Sequence, residues 1–290
     1  MGEHQVPDAE GWIAECDHLT TTNGHRIAYR RRGHGPTVLL LHGFPTWSYD
    51  WAEVVHDLER DHDVVTFDFL GYGASDKPRR YRYSVAESAD IIEELGRHLG
   101  ITRLHLVLHD YGSIVGQELL DRRRGDGIGF DLETLSVLNC GLVYDAYRPT
   151  TLQKLLSLPV VGGLVARRIT GERLRAGLDG VRGDAKLTDA EFAELWRGIS
   201  RDDGQHLAHL LLGYNAERSV HHRRWEAAMA AYDGPLHLIW GPDDPVSGRH
   251  VLDRVRPVLP HARITELSGV GHFPMSEAPE RVIAALRSTF

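Results

Sequence analysis

Short apolar runs alternate with longer stretches of helical periodicity through the first half of the chain, and the rhythm stops near residue 142. Cys16 to Thr22 and His25 to Arg31 are strand-like and flank Asn23-Gly24, a pair that predicts a two-residue hairpin turn. Thr37 to Leu41 is a compact apolar strand ending at His42-Gly43-Phe44-Pro45, and a helix is expected from Tyr49 to Arg60. Val64 to Asp68 reads as the next strand and leads into Gly71-Tyr72-Gly73-Ala74-Ser75-Asp76. Ser84 and Glu87 have capping-box spacing before a helix from Val85 to Leu99, whose apolar face holds Ile91, Ile92, Leu95 and Leu99. Arg103 to Leu108 is a short buried strand, a helix occupies Ile114 to Arg124, and Thr134 to Cys140 is a further strand. Uninterrupted apolar strands alternating with helices predict a mainly parallel sheet covered by helices on both faces.

From Leu142 to about Arg224 no strand pattern appears, only helical patterns separated by glycine and proline. Thr188 and Glu191 have capping-box spacing ahead of a helix from Asp189 to Ile199, and Gln205 to Tyr214 and Trp225 to Tyr232 also read as helical. Strand signals return at Pro235 to Gly241 and Ala262 to Leu267, followed by an amphipathic helix from about Glu277 to Ser288. Neither flank completes a sheet alone. The expectation is therefore one α/β domain, with core segments 1–141 and 225–290 and a helical cap, 142–224, inserted over the active site.

A chain of 290 residues, 42% hydrophobic and 26% charged, can bury an ample core and is ordinary for a globular domain. Its formal net charge of -8 gives no reason to expect nucleic-acid binding, and Arg122 to Arg124 reads as a solvated helix end. Two cysteines far apart, Cys16 and Cys140, suggest a reduced, cytoplasmic protein. Met1 to Glu15 lacks the basic and apolar pattern of a signal peptide. Leu155 to Val165 is the longest weakly interrupted apolar stretch, but Pro159 and two glycines break it and it is too short to span a bilayer.

The chemistry concentrates at His109-Asp110-Tyr111-Gly112-Ser113, between a strand and a helix. A strand, a sharp turn and a helix with one reactive side chain at the turn form the nucleophile elbow of α/β-hydrolases. Asp110 stands where serine is usual. A carboxylate suits displacement at saturated carbon, giving an alkyl-enzyme ester, and halides and strained epoxide oxygens are suitable leaving groups. Ester hydrolysis then needs a base. Histidine alone carries little weight in a chain with 18 of them, but His272 lies in a small-residue loop, Gly269-Val270-Gly271-His272-Phe273, after the last predicted strand. Its orienting carboxylate is expected in Trp240-Gly241-Pro242-Asp243-Asp244-Pro245, with Asp244 preferred and Asp243 competing by one residue of loop register. The backbone amides of Phe44 and Tyr111 are the expected oxyanion hole, in a turn that Gly43 permits and Pro45 stiffens.

From about Thr20 onward these residues resemble the Asp-nucleophile branch of the α/β-hydrolases, which contains epoxide hydrolases and haloalkane dehalogenases. The likeness rests on His42-Gly43-Phe44-Pro45-Thr46-Trp47-Ser48-Tyr49, on Asp68-Phe69-Leu70-Gly71-Tyr72-Gly73-Ala74-Ser75-Asp76-Lys77-Pro78 and on the elbow. Within the branch the chain looks most like the mesoderm-specific transcript proteins of animals, through His109-Asp110-Tyr111-Gly112, Gln117-Glu118-Leu119-Leu120, Arg148-Pro149, Leu152-Gln153-Lys154-Leu155-Leu156, Arg223-Arg224-Trp225 and Gly241-Pro242. Some relatives place the orienting acid after the strand that precedes the cap; here that position reads Leu138-Asn139-Cys140-Gly141, without a carboxylate. Haloalkane dehalogenases generally follow the nucleophile with a halide-binding tryptophan, and this chain has Tyr111 there, while Phe44 lacks the side-chain donor often found after His-Gly. Trp196 is a candidate donor from the cap. Epoxide hydrolases use cap tyrosines to protonate the epoxide oxygen; Tyr214 is similar in placement to one of that pair, with Tyr144 and Tyr147 as candidate partners.

The resemblance implies an epoxide hydrolase that takes a lipophilic small molecule and water and requires no cofactor or metal. A haloalkane dehalogenase using the same intermediate is the alternative, and a non-catalytic ligand-binding or signalling protein is the alternative of another class. His206, His209, His221 and His222 complete no recognised metal pattern. Gly71-Tyr72-Gly73 lacks the spacing of a nucleotide fingerprint and suits a tight turn. Ser113 lies beyond the elbow, and Trp47, Trp51, Trp225 and Trp240 read as packing residues. The stretch Leu152 to Val165 either lines a lipophilic tunnel or packs on the sheet.

Overall fold

The computed structural model describes residues 6–290; residues 1–5 of the N-terminal stretch read above lie outside the described residues. Eight strands form one sheet: β1 (Asp17–Thr20), β2 (Arg26–Gly33), β3 (Thr37–Leu41), β4 (Asp63–Phe67), β5 (Arg103–His109), β6 (Asp131–Leu138), β7 (Leu236–Trp240) and β8 (Arg263–Glu266), in the order β1-β2-β4-β3-β5-β6-β7-β8. The pairs β1–β2 and β2–β4 are antiparallel, and every other neighbouring pair is parallel. The central strands β3, β4, β5 and β7 are buried along nearly their whole length, as expected of strands covered on both faces. Helices Val85–Leu99, Tyr111–Arg124 and Tyr214–Ala230 pack together as one layer, and Ala52–Leu58 packs with Pro274–Glu277 and Pro279–Arg287 as another. Arg287 ties the second layer by bonding Asp57 at 2.7 Å and Asp61 at 2.8 Å.

Local chemistry explains where the elements depart from expectation. The first hairpin is not a two-residue turn: Thr21 N–H donates to the His25 carbonyl at 2.8 Å and encloses Thr22, Asn23 and Gly24, with Gly24 taking the left-handed φ of +81°. The segment predicted as a helix from Tyr49 begins as a tighter 3₁₀ turn, Ser48–Trp51, before Ala52–Leu58. Ser84 does cap its helix by accepting from Glu87 N–H at 3.1 Å, but the reciprocal half of the box is missing. The Glu87 carboxylate instead accepts from Asn23 and Tyr81, and Glu217 takes the Val85 N–H. The box at Thr188 and Glu191 is complete, and so is one at Thr150 and Gln153. The last helix is broken at Ala278, because Pro279 disfavours helical backbone in the residue before it.

Between β6 and β7 the chain forms only helices: Thr151–Leu156, Val161–Ala166, Gly171–Asp179, Asp189–Ser200, Ala208–Leu211 and Tyr214–Ala230, with 3₁₀ turns at Tyr144–Ala146 and Arg201–Leu207. Tyr214–Ala230 is one helix where only Trp225 to Tyr232 was expected to be helical, so residues 224 and 225 lie in its interior. Trp225 donates to Glu118 at 2.7 Å and anchors this helix to the elbow helix. A helix absent from the sequence reading, Ala9–Ala14, places Trp12 against Arg30, whose guanidinium lies 3.7 Å from the ring centroid. Trp47, Trp51, Trp225 and Trp240 are all buried packing residues, as expected.

Candidate active site

The carboxyl ends of β3, β5, β7 and β8 converge on one centre. At the end of β5 the chain turns at Asp110, with φ 43° and ψ -110°, and enters the helix Tyr111–Arg124. A non-glycine residue at this φ is strained, and the strain lifts one side chain out of the turn. Glycines make the turn fit against β3. A Cβ on Gly112 would lie 2.7 Å from Leu41 Cβ, and one on Gly43 would lie 2.6 Å from Asp110 Cβ. Of the two backbone amides predicted to bind an oxyanion, Phe44 N–H donates to Asp110 Oδ2 at 2.9 Å, and both help to hold the carboxyl down. Burial pushes the Asp110 carboxyl above its ordinary value, opposed by His272, by those amides and by Arg218.

His272 stands between two carboxylates. Its Nδ1 is 2.7 Å from Asp244 Oδ2, and its Nε2 is 3.7 Å from Asp110 Oδ1. Asp244 is fully buried and accepts also from Val246 N–H at 2.7 Å, Ser247 Oγ at 2.6 Å and Asn139 Nδ2 at 3.2 Å. Burial alone would favour the neutral forms of both members of the pair. It is outweighed by their mutual attraction, which raises His272 and, with the donors around Asp244, lowers that carboxyl. Asp243 does something else: its Oδ2 accepts from Gly269 N–H at 2.9 Å and ties the two loops together. The neighbouring His109 donates from Nε2 to the His272 carbonyl at 2.7 Å, fixing the backbone beneath the imidazole.

A cavity of about 570 Å³ opens above this centre. Its floor includes Phe44, Tyr72 and His272, and its walls come from the helical segment, among them Leu152, Leu156, Leu174 and Leu211. The hydroxyls of Tyr147 and Tyr214 are both buried and without a hydrogen-bond partner outside the pair. Burial and then the negative charge of Asp110 push both phenols up, while the Tyr214 hydroxyl draws Tyr147 down, and neither ring is among the residues that line the cavity. The Tyr72 hydroxyl is likewise buried and unpartnered. Tyr111 turns its hydroxyl away to share a 2.8 Å hydrogen bond with Ser88.

Two residues of the sequence reading are not brought into this cluster. Tyr144 is 37% exposed and stacks on His222 with centroids 4.6 Å apart, because it sits on a surface 3₁₀ turn. Trp196 packs on Phe192 and against Gly171, and it does not border the cavity. One residue that the sequence reading missed is Arg218. It is buried, bonds the Gly141 carbonyl at 2.7 Å and Asn215 Oδ1 at 3.3 Å, pairs with no carboxylate among the described residues, and lies 4.6 Å from the Tyr147 ring centroid. A signal did exist: Tyr214 and Arg218 are four apart and share a helix face. Among the described residues no three His, Cys, Asp or Glu side chains converge as metal ligands.

Residues 36–126 match the family pattern of the alpha/beta hydrolase fold. The mesoderm-specific transcript homolog protein of Homo sapiens is 39% identical over 271 residues, covering 89% of this chain and 81% of that protein. The chain belongs to the α/β-hydrolase superfamily. Haloalkane dehalogenase 2 of Mycobacterium bovis is 28% identical to this α/β-hydrolase, covering 98% of each chain. A crystal structure of an alpha/beta hydrolase fold protein from Burkholderia ambifaria superposes with a TM-score of 0.79 at 22% identity, covering 99% of this chain and 100% of that one, which shows the shared fold.

Proposed function

We propose that this α/β-hydrolase opens epoxides to diols through an ester of Asp110, with residues 142–224 acting as a cap that closes a lipophilic cavity over the nucleophile. The observation that carries this reading is the pair of buried hydroxyls on Tyr147 and Tyr214, which have no partner outside the pair and whose phenols both feel the charge of Asp110. A buried hydroxyl without a partner costs stability, so it calls for a ligand oxygen as its complement. The carboxylate attacks an epoxide carbon, the C–O bond breaks, and the departing oxygen takes a proton from one of the two tyrosines. Water then adds to the ester carbonyl while His272 takes its proton, and the N–H groups of Phe44 and Tyr111 hold the oxyanion. Collapse releases the diol, whose leaving oxygen takes the proton from His272. The new carboxylic acid returns a proton to the tyrosinate.

The electrostatics support this order. Asp110 contributes to the raised pKa of His272, so esterification removes a negative charge from beside the imidazole. Losing that charge lowers the histidine's pKa and favours its basic form at the step that needs a base, although Asp244 still holds it up. Asp244 is the orienting acid in this scheme. Both cysteines are free, which fits a reducing cytoplasmic setting.

Halide release from the same ester is the second reading, favoured by the dehalogenase relative. It is weakened here by the engagement of the Tyr111 hydroxyl with Ser88 and by the position of Trp196. A single turnover of an epoxide in ¹⁸O-labelled water tests the proposal. The label is expected in the Asp110 carboxylate and not in the first diol; label in the diol alone would mean direct attack by water and would refute the ester.

A further inference from the structure

Eight large apolar side chains stand exposed among the described residues, and five of them, Leu155, Leu158, Val160, Val161 and Leu164, fall within one stretch of ten. They belong to a hairpin of two short helices, Thr151–Leu156 and Val161–Ala166. Gly162 lets the helices close: a Cβ there would meet the Leu156 carbonyl oxygen at 2.1 Å. At the tip Val160 takes φ 63° and ψ -51° between Pro159 and Val161, and Val161 N–H donates to the Pro159 carbonyl at 2.6 Å. This is a tight γ-turn of the strained hand, rare for a β-branched residue. It leaves Val160 84% exposed.

The same hairpin has a second face. Leu152 and Leu156 line the cavity above His272. Charge distinguishes the segment as well. Residues 146–171 hold Arg148, Lys154, Arg167 and Arg168, all exposed, and no Asp or Glu, in a chain of formal net charge -8. Protein interfaces favour aromatic residues, methionine and arginine at their centre. This patch is purely aliphatic and its segment carries four exposed bases and no acid, the pattern of an interfacial segment that enters the headgroup layer of an anionic bilayer.

We propose that the hairpin 151–166 docks the protein on an anionic lipid surface, with Leu158 and Val160 entering the acyl region and the bases meeting headgroup phosphates. A lipophilic substrate would then pass from the bilayer along the hairpin into the cavity. Docking rests on the patch and its charge, whereas the route of entry rests on the cavity reading above.

Co-sedimentation of the full chain with vesicles of phosphatidylcholine and phosphatidylserine in equal parts tests docking without any turnover, so its outcome is independent of the chemistry at Asp110. Wild type is expected to sediment with mixed vesicles more than with phosphatidylcholine alone, and less in high salt. Leu158→Ser with Val160→Ser should bind at least about tenfold more weakly, and Arg167→Gln with Arg168→Gln should lose the preference for phosphatidylserine. Val160→Asn alone touches no core and serves as the variant whose fold is safe. The proposal is overturned if wild type stays in the supernatant with both vesicles. It is also overturned if Val160→Asn and the double variants bind like wild type, or if the patch instead drives self-association that Val160→Asn abolishes.

Discussion

Nε2 of His272 stands 3.7 Å from Oδ1 of Asp110, close enough to feel its charge and beyond hydrogen-bond reach. The imidazole is thus coupled to the candidate nucleophile without being pinned to it. Asp110→Asn removes that charge and should lower the His272 pKa, while Asp244 keeps it from falling to that of an isolated buried histidine. A ¹⁵N NMR titration of the imidazole checks this. A pKa equal to or above that of wild type would show that Asp110 does not set the protonation of the base.

Asp244 and Asp243 should separate cleanly. Asp244→Asn keeps one acceptor oxygen, for Val246 N–H or for the Ser247 side, but loses the charge that stabilises the imidazolium, so ester hydrolysis should slow by about 10²–10⁴-fold. Asp243→Asn preserves a side-chain acceptor for Gly269 N–H and should leave kcat within about twofold. Pre-steady-state kinetics on both variants decide the matter. Equal losses would mean that loop geometry, rather than the Asp244 charge, governs the step.

Tyr147→Phe and Tyr214→Phe remove buried hydroxyls that have no partner outside the pair. Each should raise stability by up to about 1 kcal/mol in denaturant unfolding. Each should also slow epoxide opening by about 10²-fold, with little change in the hydrolysis of ester already formed. Stabilisation without a kinetic cost would leave the hydroxyls a mere packing feature.

Asp50 offers a pH signature. Burial pushes its carboxyl up to about 7, against the pull of Thr46, Arg182 and His272, and its Oδ1 has no partner. A carboxyl raised in the folded state favours folding in its protonated form. Its contribution is complete below the ordinary carboxylate range and is lost as pH rises through about 7. Asp50→Asn should therefore melt higher than wild type above neutrality and converge with it in acid. Parallel Tm curves across that range would contradict the assignment.

Much of the fold was legible because the central strands are apolar on both faces, and β3, β4 and β5 read directly as runs. The elbow was legible for the same reason, since the run ending at Leu108 delivers Asp110 to a turn. What escaped were features decided by long-range contacts. Glu87 was assigned to a capping box but is drawn off by Asn23 and Tyr81. Tyr144 and Tyr147 were indistinguishable because their spacing gives no sign that one lies on a surface turn and the other under Arg218. Arg218 was missed because its place on one face with Tyr214 shows only once residues 214–230 are known to be helical, and its burial is set by tertiary packing. Leu152 to Val165 meets the first of its two expectations in part, since Leu152 and Leu156 line the cavity, whereas its tip faces solvent instead of packing on the sheet.

The role of Asp110 is tested most directly with His272→Gln, which should spare ester formation and stop its hydrolysis. The variant is incubated with lipophilic epoxides and haloalkanes, its intact mass is recorded, and any adduct is mapped by peptide sequencing. The account predicts an adduct on Asp110 whose mass increase equals that of the whole epoxide. An adduct carrying the alkyl group without its halogen would instead favour dehalogenation. Turnover by wild type with no adduct on Asp110 in the variant would contradict a covalent role for this residue.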